Sequence, residues 1–325
     1  MNIPTSLRRA KAPLALTAAV MLAATACGGG DAGSGDGGSG DELSGPVKVD
    51  GSSTVAPLTS AASEFYAEEQ PKVRVTVATS GTGGGFKKFC VGETDISDAS
   101  RPIKDEEIKT CEENNIKYEQ LAIANDGLSV VVSKENDWAE CLTVEQLKKI
   151  WEPGSKVNNW NQVDPKFPDE PLKLFGAGTD SGTFDYFTEA INGEEGASRT
   201  DYSGSEDDNI TVTGVSGTKG GMGYFGFSYF EENADKLKLV QIDGGDGCVT
   251  PSVETVQDGT YKPLGRQLYI YPSDAGLKKP QVLDFVEYYV EHNKKIAEDS
   301  KFIPLNTEQE KELEAALTKL KEAAQ

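Results

Sequence analysis

Apolar and polar residues alternate along Val73-Arg74-Val75-Thr76-Val77, and that two-residue period predicts a strand. At Ser80 the pattern breaks into Gly81-Thr82-Gly83-Gly84-Gly85, after which Phe86-Lys87-Lys88-Phe89 opens a helical run. The same succession occurs twice more. Val47-Lys48-Val49 leads through Asp50-Gly51-Ser52-Ser53-Thr54 into a run whose apolar positions, Leu58, Ala61, Ala62, Phe65 and Tyr66, keep helical spacing. Pro57 suits the first turn of that helix, and Ser53 or Thr54 is a natural N-cap. Residues 172–175 lead through Gly176-Ala177-Gly178-Thr179-Asp180-Ser181-Gly182-Thr183 into the helical run at 184–187. Further strand-like runs are 121–124, 128–132, 210–215, 237–242 and 268–271; 143–151 and 281–290 are helical. Thr307-Glu308-Gln309-Glu310 reads as a capping box opening a last helix through Leu313, Leu317 and Leu320. Strands alternating with helices predict an α/β architecture around largely parallel sheets.

Strand, glycine-rich turn and helix together aim unpartnered backbone N–H groups, and the positive end of the helix dipole, at an anion. The hydroxyls of Ser53, Thr54, Thr82, Ser181 and Thr183 add donors. Ser97 to Arg101 offers two more hydroxyls and a guanidinium. A glycine run after a strand can also be only a flexible turn, and the recurrence of the design is what argues for an oxyanion receptor. It is no nucleotide loop: Gly81 is followed by Phe86-Lys87-Lys88 where a Walker motif needs Gly-Lys-Ser/Thr, and Phe86 stands where the dinucleotide fingerprint needs its third glycine. Hydrolysis lacks a base, since Ser181 is not in a nucleophile elbow and the single histidine, His292, falls in a helical tract. The aromatic tract 223–230 reads as core and the acidic run 205–209 as a solvated loop without the glycine and closing glutamate of a calcium site. No metal and no cofactor are expected.

Arg8, Arg9 and Lys11 precede an apolar stretch, 12–26, too short and small-residue-rich to span a membrane, which reads as a secretory signal. Ala24-Thr25-Ala26-Cys27-Gly28 resembles a bacterial lipobox, with Cys27 lipidated and 1–26 removed. Residues 27–45, after the cysteine almost entirely Gly, Ser, Asp and Ala, form a flexible tether. The net charge of −21 disfavours nucleic acid or an anionic surface as partner, so any anion must be captured by local donors. Besides Cys27 there are Cys90, Cys111, Cys141 and Cys248, an even set that suggests two disulfides with three connectivities open.

DGSSTVAP (50–57), SGTGGGFKKF (80–89), DISDASRPI (95–103), GTDSGTFDYF (178–187) and GYFGFSYF (223–230) resemble, in this order, the phosphate-binding lipoproteins of bacterial phosphate-specific ABC transporters. The tract after Cys27 is similar to that of Gram-positive, particularly actinobacterial, members. The resemblance implies the type II periplasmic-binding-protein fold: two α/β lobes, two crossing segments, and the anion between the lobes. Lobe one would be 46–124 plus 258–325 and lobe two 125–257, with crossings at Asn125-Asp126-Gly127 and Asp258-Gly259-Thr260. That layout favours Cys90–Cys111 and Cys141–Cys248. Ser53, Thr54, Thr82, Ser181, Gly182 and Thr183 would donate to phosphate, and Asp98 in Ser97-Asp98-Ala99 would be the carboxylate facing it. The better-known branch has an apolar residue where Ser100 stands and an arginine where Ala177 stands. Here the guanidinium would come from Arg101, beside Ser100, which leaves Asp180 as a second candidate for accepting the proton of hydrogen phosphate. The implied function is not enzymatic: capture of inorganic phosphate on the extracytoplasmic face, by a protein lipid-anchored to the cell membrane, and delivery to the permease and ATPase subunits of an importer. Alternatives are another oxyanion such as sulfate or molybdate, an exported phosphatase-like protein, or an adhesive lipoprotein.

Overall fold

The computed structural model describes residues 43–324; the signal, Cys27 and the tether up to residue 42 lie outside them. The strands are β1 (Gly45–Gly51), β2 (Val73–Ala78), β3 (Ile96–Ala99), β4 (Leu121–Ser133), β5 (Cys141–Thr143), β6 (Lys173–Ala177), β7 (Ser203–Ser205), β8 (Gly221–Gly226), β9 (Leu237–Leu239), β10 (Gln241–Asp243), β11 (Cys248–Val249) and β12 (Gly265–Pro272). The helices are α1 (Ala56–Glu69), α2 (Thr82–Phe89), α3 (Asp105–Glu113), α4 (Val144–Trp151), α5 (Trp160–Val163), α6 (Gly182–Asn192), α7 (Asp208–Ser216), α8 (Phe227–Glu232), α9 (Val253–Gln257), α10 (Asp274–Leu277), α11 (Pro280–Glu291), α12 (Asn293–Asp299) and α13 (Thr307–Ala324).

Among the described residues the main sheet runs β2-β1-β3-β12-β4-β8-β6-β7, with β9 also on β4. Its wings are parallel, β2-β1-β3 and β8-β6-β7, but its middle is antiparallel, because β12 runs against both β3 and β4, and β4 against β8. The expected runs 121–124 and 128–132 are one strand, β4. Its first half pairs with β12 and its second with β8 and β9.

Apolar burial divides at the same point. Leu121, Ile123 and Ala124 join a core with Val47, Leu58, Phe285 and Leu320, whereas Leu128, Val130 and Val132 join a second with Trp151, Phe187 and Tyr224. On the return, Tyr261 and Leu264 belong to the second core and Leu268 to the first. The chain therefore changes core at Gly265–Gln267, beyond the expected Asp258–Thr260 turn. A third pass follows: Ile303 packs into the second core and exchanges backbone hydrogen bonds of 2.8 and 3.0 Å with Asn125, before α13 returns to the first. Disulfides join Cys90 to Cys111 and Cys141 to Cys248.

Three local expectations need correction. Residues 210–215 are helical, in α7, not a strand. The Asp207 carboxylate caps that helix by accepting from the Asn209 N–H at 3.0 Å, and Thr211, Val212 and Val215 are buried while Ile210 is 55% exposed. This three-to-four-residue spacing prevails over the β preference of Ile, Thr and Val. The run 237–242 breaks at Val240 into β9 and β10, which pair with different strands. The last helix is boxed one residue earlier than expected, by Asn306 and Gln309. The Asn306 carboxamide accepts from the Gln309 N–H at 3.0 Å and the Asn306 N–H donates to Gln309 Oε1 at 2.9 Å. In the aromatic tract Tyr224, Phe225 and Phe227 are core, with Tyr224 stacked 3.8 Å from Phe187, while Tyr229 and Phe230 are half-buried.

Candidate functional site

α1 begins without a side-chain cap: Val55 holds the cap position, and Ser53 and Thr54 turn elsewhere. Ser53 Oγ donates to Asp185 Oδ2 at 2.8 Å and Thr54 Oγ1 donates to the Gly182 carbonyl at 3.1 Å, both on the first turn of α6. Only glycine fits at 182, because a Cβ there would lie 2.7 Å from both the amide nitrogen and the hydroxyl of Thr54. The α1 and α6 turns therefore touch across the divide between the two cores.

The α2 turn lies beside them. Gly81 takes φ +75°, which redirects the chain into the helix, and Asp50 at the end of β1 accepts from Ser80 and from Lys88. Thr82 Oγ1 and Ser100 Oγ are 2.9 Å apart, and the Ser100 N–H donates to Thr82 Oγ1 at 3.2 Å, tying the head of α2 to the end of β3.

Beneath these turns the two passing strands pair in register, Gly265 with Gly127, Arg266 with Asp126 and Gln267 with Asn125. Directly opposed residues share a face, so the Arg266 guanidinium meets the Asp126 carboxylate, Nε to Oδ2 at 3.3 Å. The same guanidinium donates to Thr54 Oγ1 at 3.0 Å and to the Ser100 carbonyl at 3.3 Å, and lies 3.3 Å over the Tyr186 ring. Burial raises the Asp126 carboxyl above its ordinary range, and Arg266 partly offsets this. A narrow cleft remains, bounded by Ser53, Thr54, Thr82 and Ser100 on one side, Asp185, Glu189 and Glu195 on the other, and Arg266.

Of the expected site residues, the structure brings Ser53, Thr54, Thr82 and Ser100 together around this cleft. Ser181, Gly182 and Thr183 line a wider neighbouring cleft with Ser53 and Thr54, on the far side of the Thr54–Gly182 contact. Arg101 stands at the outer mouth with Tyr186, Gln267 and Tyr269, its guanidinium held by Glu107 at 2.8 and 2.9 Å. Asp98 is elsewhere. It is fully buried in the first core, where Oδ2 accepts from Thr59 Oγ1 at 2.9 Å; among the described residues Oδ1 has no partner, and burial pushes its pKa up to about 8. Asp180 is exposed, and its N–H donates to Glu206 at 3.2 Å.

Sequence reasoning missed Arg266, Asp126 as its partner, and the carboxylates of α6. One signal was available, since Arg74, Arg101, Arg199 and Arg266 are the only arginines after Cys27 and few residues can meet an anion with a guanidinium. The pairing of Arg266 with Asp126 depends on a strand register that no local pattern announces. Chemically the cleft offers hydroxyls, one central guanidinium and carboxylates. His292 does not line it, and among the described residues no three His, Cys, Asp or Glu side chains are grouped to hold a metal.

The PBP superfamily domain matches residues 31–293. Protein SphX of Synechocystis sp. is 47% identical over 270 residues, covering 82% of this chain and 80% of that protein. The phosphate-binding protein PstS of Staphylococcus saprophyticus is 41% identical over 300 residues, covering 90% and 91%. Among solved structures, a possible phosphate binding protein from Planctomyces limnophilus superposes with a TM-score of 0.83 at 46% identity, over 86% of this chain and 99% of its own. An ABC-type phosphate transport receptor from Vibrio cholerae, 23% identical with a TM-score of 0.64, shares the two-lobed fold. With helix-heading turns from both cores meeting over a guanidinium, this chain belongs to the PBP superfamily and, within it, to the bacterial phosphate-binding proteins typified by PstS.

Proposed function

We propose that this protein binds inorganic phosphate outside the cytoplasm and delivers it to the permease of an ABC importer, with a substrate-binding and not a catalytic role. The observation that carries this reading is Arg266, a desolvated guanidinium on the floor between the lobes, ringed by hydroxyls and helix starts from both sides. A guanidinium in such a place makes charge-assisted hydrogen bonds to tetrahedral oxyanions. The relatives named phosphate-binding proteins point to phosphate among them.

In this reading Ser53, Thr54, Thr82, Ser100, Ser181, Gly182 and Thr183 donate to the anion, and Arg266 supplies the central charge with Arg101 at the mouth. Because Ser181 to Thr183 lie beyond the Thr54–Gly182 contact, phosphate entry opens that contact and the lobes reclose around the anion. Lobe one is 46–124 with the segment from Leu268 onward, apart from the brief return to the second core at Ile303, and lobe two is 128–264, hinged at Asn125–Gly127 and Gly265–Gln267. Cys27 carries the lipid that keeps the protein at the membrane, and the glycine-rich tether lets it reach the permease.

Titration calorimetry on protein freed of bound phosphate by unfolding and refolding tests the reading. Saturable binding of phosphate with none of sulfate or molybdate is expected. Preference for sulfate or molybdate would reassign the anion, and turnover of a generic phosphate ester by pure protein would replace binding with hydrolysis.

A further inference from the structure

Contact between the α1 and α6 turns does not seal the cleft. On the Arg101 side it continues into a vestibule of about 390 Å³, which shares Ser100, Tyr186, Glu189 and Arg266 with it. That volume lies within the range of small-molecule sites, and bare phosphate held at Arg266 makes no use of it.

Pro102, Pro263 and the buried side chains of Tyr186 and Tyr269 wall the vestibule. Both tyrosine hydroxyls already donate within the protein, Tyr186 to the Pro263 carbonyl at 2.9 Å and Tyr269 to Gln267 Oε1 at 3.0 Å. What the two residues offer a ligand is therefore ring surface. The guanidiniums that border the space are each neutralised in place, Arg101 by Glu107 at 2.8 and 2.9 Å and Arg266 by Asp126 at 3.3 Å. Glu189, half-buried on α6, is in no ion pair among the described residues. Its charge reaches across the space: Glu107 first, and Glu189 after it, favour the charged form of Arg101. The vestibule so combines apolar walls with one uncompensated carboxylate. A second phosphoryl group would bring negative charge that nothing there offsets, whereas a short carbon chain ending in an ammonium would cover the rings and pair with Glu189.

We propose, resting on the phosphate reading above, that cleft and vestibule together also bind a phosphate monoester of a short amino alcohol. The phosphoryl group takes the place of phosphate at Arg266, the carbon chain lies along Tyr186 and Tyr269, and the ammonium meets Glu189. The ester is bound and not cleaved.

The experiment is calorimetric titration of the stripped full chain with inorganic phosphate, O-phosphoethanolamine and glycerol 3-phosphate, at about pH 7.5, where the amine is charged. Glycerol 3-phosphate supplies an ester of similar size without the cation. The amino ester should bind at least about tenfold more tightly than glycerol 3-phosphate, the worth of one charge-assisted contact. Phosphate binding with no such preference between the esters overturns the inference and leaves the functional reading standing. Binding of the amino ester without binding of phosphate supports the inference and overturns that reading, and binding of none of the three overturns both. Glu189→Gln locates the cation. The amino ester should lose at least about fivefold in affinity, while phosphate, relieved of a repelling neighbour, should bind more tightly. Amino-ester affinity that holds, or that falls together with phosphate affinity, overturns the assignment to Glu189.

Discussion

Asp98 occupies a strand whose alternate side chains face opposite ways: Ser97 toward Gly85 in α2, and Asp98 toward Thr59 in α1. The motif Ser97-Asp98-Ala99 is visible in the sequence, but which way it faces is decided by how β3 sits between β1 and β12. A carboxyl raised from 3.8 to about 8 by burial binds a proton in the folded state that the unfolded chain gives up. The stability it lends is complete below its unfolded pKa and is lost as pH rises through 8. Wild type should therefore lose more melting temperature than Asp98→Asn between about pH 5 and about pH 9, and parallel curves would refute the buried, protonated assignment. Phosphate affinity of Asp98→Asn should stay within about threefold of wild type, where a carboxylate facing the anion would cost roughly 1.5–3 kcal/mol. Arg101 was the guanidinium that sequence reasoning found, and Glu107 already occupies both of its terminal nitrogens. Arg101→Ala should weaken phosphate binding less than tenfold, measured by titration.

Among the elements, periodicity served wherever one face alone is buried. α1 and α11 follow their apolar spacing, and the strand–turn–helix units that head the site stand where alternation, glycine and helical spacing put them. It failed at 210–215, where Ile, Thr and Val suit either state and only the Asp207 cap and the packing of Val212 and Val215 decide for the helix. It also could not choose between neighbouring boxes, Asn306–Gln309 and Thr307–Glu310. Asn306→Ala should cost about 1 kcal/mol in denaturant unfolding, and Thr307→Ala only a few tenths. The meeting of α1 with α6 makes a different kind of prediction, because it joins elements from separate cores. Gly182→Ala places a methyl 2.7 Å from the Thr54 hydroxyl, so the turns must part. Phosphate affinity should fall at least tenfold, while the melting temperature without phosphate changes by no more than a few degrees. Loss of the fold in place of loss of affinity would mean the contact supports the cores and not the site.

For the whole molecule, the two-lobed architecture was legible through family resemblance more than through composition, since many α/β proteins alternate strand and helix. The resemblance did not extend to the third pass at Ile303, the exact crossing at Gly265–Gln267, or the arginine in it. Those depend on contacts between segments far apart in the chain, such as Asn125 with Gln309 at 2.9 Å on one face of the paired strands β4 and β12 and Asp126 with Arg266 on the other. At this scale Cys27→Ala should shift the protein from the membrane to the soluble fraction, since several acyl chains on one cysteine far exceed marginal single-chain binding; retention through detergent-free washing would contradict the anchor. We propose that Arg266, on the floor of the cleft, holds one phosphate between the lobes. The most direct test of this claim is parallel calorimetric titration of stripped wild type and Arg266→Gln with phosphate, alongside thermal melts of both without it. Wild type should bind one phosphate per chain, and the variant should bind at least about a hundredfold more weakly while still melting cooperatively, since two or more charge-assisted hydrogen bonds are lost. A folded Arg266→Gln protein that binds phosphate as tightly as wild type would contradict the account.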